Sequence, residues 1–164
     1  MTVGTVWFVG AGPGDPELIT VKGRSLIERA GAILFAGSLV NEAVTRWAPP
    51  GCTIADSKDM TLEQMAAWLI AQAQQHAVVI RLQTGDPALY GALIEVVQPL
   101  DAAGVPVRVV PGVSSAMEAC AAHMASCDWL TPGAGRNDDA WRLPWVMVPV
   151  LSSKSTSTSP AAST

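Results

Sequence analysis

Cysteine is scarce in this chain: its 164 residues hold three, Cys52, Cys120 and Cys127. An odd count without a close pair argues against a disulfide framework. Cys120 and Cys127 stand seven apart, on one face of a helix, and read as small buried hydrophobes. Histidine is scarcer still, with His76 and His123 alone, and neither stands in ligand spacing with a cysteine, so no metal site is expected. Basic residues are scattered with no run among them, and the net charge is −4. That argues against nucleic acid and against a membrane surface as partners. No apolar run approaches the roughly 18 residues of a membrane span. No basic segment precedes the first apolar stretch, so neither a signal peptide nor a transmembrane helix is expected, and the location expected is cytoplasmic.

Apolar residues make up 49% of the chain and charged ones 15%. This is the composition of a well-cored globular chain with a dry surface, part of which is expected to meet a partner. The length suits one domain, burying roughly two-thirds of its unfolded surface without staples.

Short apolar, β-branched runs alternate with helical patterns. Val3 to Val9, Ala32 to Phe35, Cys52 to Ala55, Ala77 to Leu82 and Val105 to Val110 read as strands. A helix follows the first strand, starting at Asp15-Pro16 or at Thr20, burying Leu26, Ile27 and Ala30 and ending at Gly31. Asn41 to Trp47 reads as a short helix. Thr61-Leu62-Glu63-Gln64 matches a capping box and opens a helix to about Gln75 that buries Met65, Leu69 and Ala73. A helix over 92–103 is expected to kink or reset at Pro99, and another spans 113–125. The implied fold class is α/β, a mostly parallel sheet flanked by helices with right-handed crossovers.

In such sheets the loops at the carboxyl ends of the strands form the ligand crevice. Three loops fall there, 10–15, 84–91 and 111–116, all rich in Gly, Pro and Ser/Thr. The first has Gly10, Gly12 and Gly14, with Asp15 where the dinucleotide fingerprint places its last glycine. A carboxylate there repels pyrophosphate. The second strand ends Phe35-Ala36-Gly37, with no acid to grip a ribose, and no lysine stands where a phosphate loop needs one. The spacing therefore argues against NAD and ATP. An acidic crevice suits S-adenosyl-L-methionine, which carries a sulfonium, an ammonium and a ribose diol, and no phosphate. Asp86 is either a carboxylate of that kind or a turn former before Pro87. Asp15, Ser114 and Ser115 have the same alternative as helix caps, and Tyr90 either meets substrate or packs.

Val9-Gly10-Ala11-Gly12-Pro13-Gly14-Asp15, Thr84-Gly85-Asp86-Pro87 and Pro111-Gly112-Val113-Ser114-Ser115, in this order and spacing, resemble the tetrapyrrole (corrin/porphyrin) methyltransferases. Ala36-Gly37-Ser38-Leu39-Val40-Asn41, the stretch Asp56 to Gln64, and Leu89-Tyr90-Gly91 look like the branch that methylates C11 of precorrin-4 to give precorrin-5 in cobalamin biosynthesis. The resemblance implies the amino-terminal domain of that fold, S-adenosyl-L-methionine as cofactor, a tetrapyrrole substrate and a homodimer. It implies cofactor contacts from Pro13, from Thr84, Gly85, Asp86 and Leu89, and from Ser114 and Ser115. Related uroporphyrinogen methylases carry an acid after the second strand; this chain has none there, so no catalytic residue is assigned. Methyl transfer from a sulfonium asks mostly for positioning.

The resemblance covers about Thr2 to Ala125. Family members continue into a second α/β domain with the cofactor between the lobes. Here 126–164 is divergent, with three of the six tryptophans in 129–145 and a Ser/Thr/Ala/Pro tail from Ser152 that reads as disordered. Such a composition is what a shifted or prematurely ended reading frame gives. The expected organisation is a methylase amino-terminal domain over 1–125 and an irregular tail over 126–164.

Overall fold

A computed structural model of the chain describes residues 3–89 and 93–126. Tyr90, Cys127 and the 127–164 stretch, tail included, lie outside the described residues.

Five strands alternate with helices. They are β1 (Thr5–Gly10), β2 (Ala32–Phe35), β3 (Thr53–Asp56), β4 (Val78–Gln83) and β5 (Val107–Val110). The helices are α1 (Val21–Ile27), α2 (Leu62–Ala73), α3 (Leu93–Ala102) and α4 (Ser115–Ser126). Two short 3-10 helices, Pro16–Leu18 and Glu42–Trp47, precede α1 and follow β2. The strands form one sheet in the order β3-β2-β4-β1-β5. Every pairing is parallel. The α/β class with a parallel sheet is as expected.

The strand pleat sends alternate residues to opposite faces. Val6, Phe8, Ala32, Leu34 and Val79 pack on α2 and α3 against Met65, Leu69, Ala73, Val96 and Leu100. Val9, Ile33, Phe35, Ile80, Leu82 and Val110 pack on the other side against Leu26, Ile27, Ala30, Val40 and Val44. The central strands are therefore apolar on both faces, which is why they read as unbroken apolar runs.

Several boundaries differ from expectation for local reasons. β1 begins at Thr5, because the Gly4 N–H is spent on the Ala73 carbonyl at the end of α2, at 2.7 Å. Both candidate starts of the first helix are used. Asp15 caps the 3-10 turn by accepting from Glu17 N at 2.8 Å, and Thr20 caps α1 by accepting from Gly23 N at 3.1 Å. α1 then ends at Ile27, short of Gly31, as Arg29 N and Ala30 N donate to the Leu26 and Ile27 carbonyls in tighter turns. The Thr61–Gln64 capping box forms in both directions, at 2.8 and 3.3 Å. α3 runs through Pro99 as one helix and does not reset there. One expectation is overturned: Cys120 is exposed. Residues 115–122 of α4 are all exposed, so no core meets that face. Among the described residues no helix is long and apolar enough to cross a membrane.

Candidate functional site

The parallel order puts the loops after β1, β4 and β5 side by side, since these three strands are neighbours with β1 in the middle. The loops close on one another through glycine. A Cβ on Gly10 would lie 2.5 Å from Gly85 O and from Gly112 Cα. A Cβ on Gly112 would strike Gly85 O and come within 2.7 Å of Gly10 Cα. The contacts are backbone on backbone, so no side-chain rotation relieves them. Gly85 also takes φ +59, a left-handed conformation that favours glycine. Hydrogen bonds complete the closure: Ala11 N donates to Gln83 O at 2.8 Å, and Gly85 N to Gly12 O at 2.8 Å.

Asp86 ties the second loop to the third. One carboxylate oxygen accepts from Ala88 N at 2.8 Å and the other from Gly112 N at 3.0 Å. The turn-former alternative raised by its sequence is therefore present. So is the cap alternative for Ser114, whose hydroxyl accepts from Ala116 N at 3.2 Å at the head of α4.

Beside this junction, toward α2 and α3, lies a cleft of about 320 Å³. Six of the seven candidate cofactor residues line it: Thr84, Gly85, Asp86, Leu89, Ser114 and Ser115. Pro13 does not. Once Gly12 bridges to Gly85, the first loop runs toward Asn41, whose Nδ2 donates to Gly14 O at 3.2 Å, and this leaves Pro13 half-buried outside the cleft.

The floor and far wall come from residues the sequence reading passed over. Arg81 and Gln83 lie on the same face of β4, and Leu62 and Met65 come from the first turn of α2. Arg81 is only 6% exposed. Its guanidinium donates to Ser57 Oγ at 2.9 Å and to Met65 Sδ at 3.4 Å. Burial brings its pKa down to about 10, with the nearby Asp56 charge opposing the shift. It is still charged near neutrality. Ser57 Oγ in turn donates to Phe35 O at 3.1 Å. Asp56 accepts from Gly37 N at 2.8 Å and from Lys58 N at 2.9 Å, and these bonds, the first above all, hold its carboxyl below the usual range. Its other oxygen fills the space where a side chain at Gly37 would begin. The signal for Arg81 was in the strand itself, a lone cation in Val78-Val79-Ile80-Arg81-Leu82.

The architecture is a parallel α/β sheet with a crevice at its carboxyl edge, where proteins of this class take their ligands. Residues 5–129 match the model of the tetrapyrrole (corrin/porphyrin) methylases, and the chain belongs to that family. A precorrin-4 C(11)-methyltransferase of Pseudomonas aeruginosa is 45% identical over 129 residues, 78% of this chain and 50% of that one. The solved structure of a cobalt precorrin-4 methyltransferase superposes with a TM-score of 0.70 at 40% identity, covering 73% of this chain and 50% of the other. A uroporphyrin-III C-methyltransferase from Thermus thermophilus, complexed with S-adenyl homocysteine, gives a TM-score of 0.61 at 38% identity over 71% of this chain and 48% of that one. The chain spans about half the length of the curated relatives it matches.

Proposed function

We propose that this chain is the amino-terminal lobe, over residues 1–125, of an S-adenosyl-L-methionine-dependent methyltransferase acting on C11 of precorrin-4. The observation that carries the reading is the closure of three glycine loops beside one cleft that gathers Thr84, Gly85, Asp86, Leu89, Ser114 and Ser115. Family membership and the names of the relatives support S-adenosyl-L-methionine as the ligand of that cleft.

The residues present fit the cofactor. The cleft holds a buried acceptor without a donor, Gln83 Oε1, and a carboxylate fixed by backbone N–H groups, Asp86. Neither suits a phosphate, and both suit a ligand rich in N–H and hydroxyl groups. When bound, S-adenosyl-L-methionine supplies a methyl group on a sulfonium, already a good leaving group. The chain's own part is to position and to exclude water, for which aligned reactions gain roughly 7–11 kcal/mol. Thr84, Ser114 and Ser115 offer hydroxyls at the rim, and Leu89 and Leu62 an apolar wall. Pro13 belongs with these contacts only if the first loop moves on binding. The substrate is the tetrapyrrole, and the working assembly of the whole enzyme is a homodimer.

Isothermal titration with S-adenosylhomocysteine tests the cofactor reading, and product analysis on precorrin-4 tests the ring position. No heat at millimolar ligand removes the reading; a product methylated at another carbon moves it to another branch. A second reading, a lobe that binds cofactor without turning over substrate, is separated from the first by the same two measurements. Binding without product decides for it.

A further inference from the structure

Arg81 sits 6% exposed on the floor of the cleft, in a strand whose neighbours are apolar. Among the described residues no carboxylate comes within ion-pair distance of it; the ion pair found there, Arg24–Glu28, lies elsewhere on the surface. Its partners are one hydroxyl and one thioether, the latter a weak acceptor. A guanidinium carries five donors in a planar fork, so most of its hydrogen-bonding capacity stays open among the described residues. The Asp56 charge acts on it from beyond ion-pair distance, and a buried charge with only a distant counter-charge and few hydrogen bonds is costly to keep. Two residues on, on the same face of β4, Gln83 Oε1 is buried with no donor among the described residues. One side chain thus lacks an anion in contact and the next lacks a donor among the described residues, and both line the same cleft.

We propose that Arg81 and Gln83 form a receptor for a carboxylate-bearing ligand, with Arg81 gripping the carboxylate and Gln83 accepting from an adjacent N–H of that ligand. The inference rests on the methyltransferase reading and deepens it by giving the cleft a polar anchor at its floor. Two ligands of that reaction have this chemistry. The cofactor has an α-carboxylate beside an ammonium, and a tetrapyrrole has carboxylate side chains around a ring bearing N–H groups. A forked guanidinium takes either carboxylate through paired hydrogen bonds.

The full chain is titrated with S-adenosylhomocysteine, with 5′-methylthioadenosine and with uroporphyrin. The second ligand keeps the adenosyl thioether and lacks the aminoacyl group; the third carries the tetrapyrrole carboxylates. Arg81→Met and Gln83→Leu are each expected to weaken one carboxylate ligand by about tenfold or more, the scale of a lost charged hydrogen bond, leaving methylthioadenosine unchanged. Loss confined to S-adenosylhomocysteine assigns the anchor to the cofactor, and loss confined to uroporphyrin assigns it to the substrate. Arg81→Met is expected to melt no lower than the parent, since an apolar chain of similar length replaces a buried charge whose counter-charge lies beyond ion-pair distance. A Met variant that does not fold overturns the anchor role of Arg81 in favour of a structural one, and Gln83→Leu then decides for Gln83. Variants that fold and bind both carboxylate ligands within about twofold of the parent overturn the inference while the function reading stands. A parallel loss of methylthioadenosine does the same. A parent that binds none of the three removes the function reading, and the inference falls with it.

Discussion

Gly112 is where the three loops meet at closest quarters, and a single methyl group there tests the junction. In Gly112→Ala the new Cβ strikes Gly85 O and Gly10 Cα, all backbone. Overpacking costs about 1–3 kcal/mol and occasionally more, and here no side-chain rotation relieves it. Gly51→Ala is the contrast: nothing lies within 4 Å, and the cost is the left-handed φ of +85 alone, about 1–2 kcal/mol. Urea unfolding should rank Gly112→Ala as the worse. Titration with S-adenosylhomocysteine should show loss of binding for it and none for Gly51→Ala. Equal binding by both would mean the glycine junction does not shape the cleft.

Asp56 gives a pH signature at the same scale. Hydrogen bonds from Gly37 and Lys58 lower its pKa below the ordinary 3.8. A depressed carboxylate contributes stability that is fully present above the unfolded value and lost as pH falls through the folded one. Asp56→Asn should therefore be less stable at pH 7 and lose less than the parent on going to pH 3. Urea midpoints at the two pH values check this; parallel acid limbs would show that Asp56 is not held ionised by the fold. The sequence made the glycines legible and not the pairings. Gly10, Gly12, Gly85 and Gly112 announce loops of unusual geometry, but that they touch one another follows only from the order of β5, β1 and β4. Arg81 was visible as an odd cation in an apolar strand. Its burial depends on Ser57, 24 positions away, and on Met65, 16 away.

Elements were read well where local signals decide them. β2 falls on 32–35 as expected because Gly31 and the turn at Ala36 bound four apolar residues tightly. The capping box fixes the start of α2, and that start carries Leu62 and Met65 to the cleft wall. Edges settled by tertiary contacts were read less well. β1 starts late because α2 takes the Gly4 N–H, and β4 gains Gln83 because Gly10 pairs with it. Pro99 is instructive: of the kink or reset expected there, the reset does not occur. A proline in a helix interior lacks the N–H that would bond to Glu95 O, which argues for a break. α3 continues because its buried stripe, Val96 and Leu100, packs beside α2, and Pro99 itself faces solvent. Pro99→Ala restores the donor at an exposed site. It should stabilise by about 1–3 kcal/mol, read as a higher urea midpoint. A loss of stability would mean that a proline-shaped bend is needed for the packing of α3.

At the scale of the molecule, the described residues combine a filled core with an apolar rim around the cleft. Both faces of the sheet are covered. Around the cleft, by contrast, Leu39 is 65% exposed and Leu89 50%, and Met117, two residues beyond Ser115, is 56%. Single exposed apolar residues are ordinary, but several bordering one cleft mark a surface made for contact. The half-length match to the relatives is consistent with a surface that another lobe would cover in them. When these 164 residues are prepared by themselves, self-association is one way to bury such a rim. Sedimentation equilibrium should therefore show a mass that rises with concentration, and Leu39→Ser with Leu89→Ser and Met117→Ser should return the chain toward the monomer. Saturating S-adenosylhomocysteine should shift the same equilibrium if ligand and partner compete for the cleft. Association untouched by the three serines would place the contact elsewhere, the exposed edge of β5 being the next candidate, since Val109 and Ile94 border a second apolar groove there. A monomer at every concentration would mean that the apolar rim of the cleft is too small to drive association by itself.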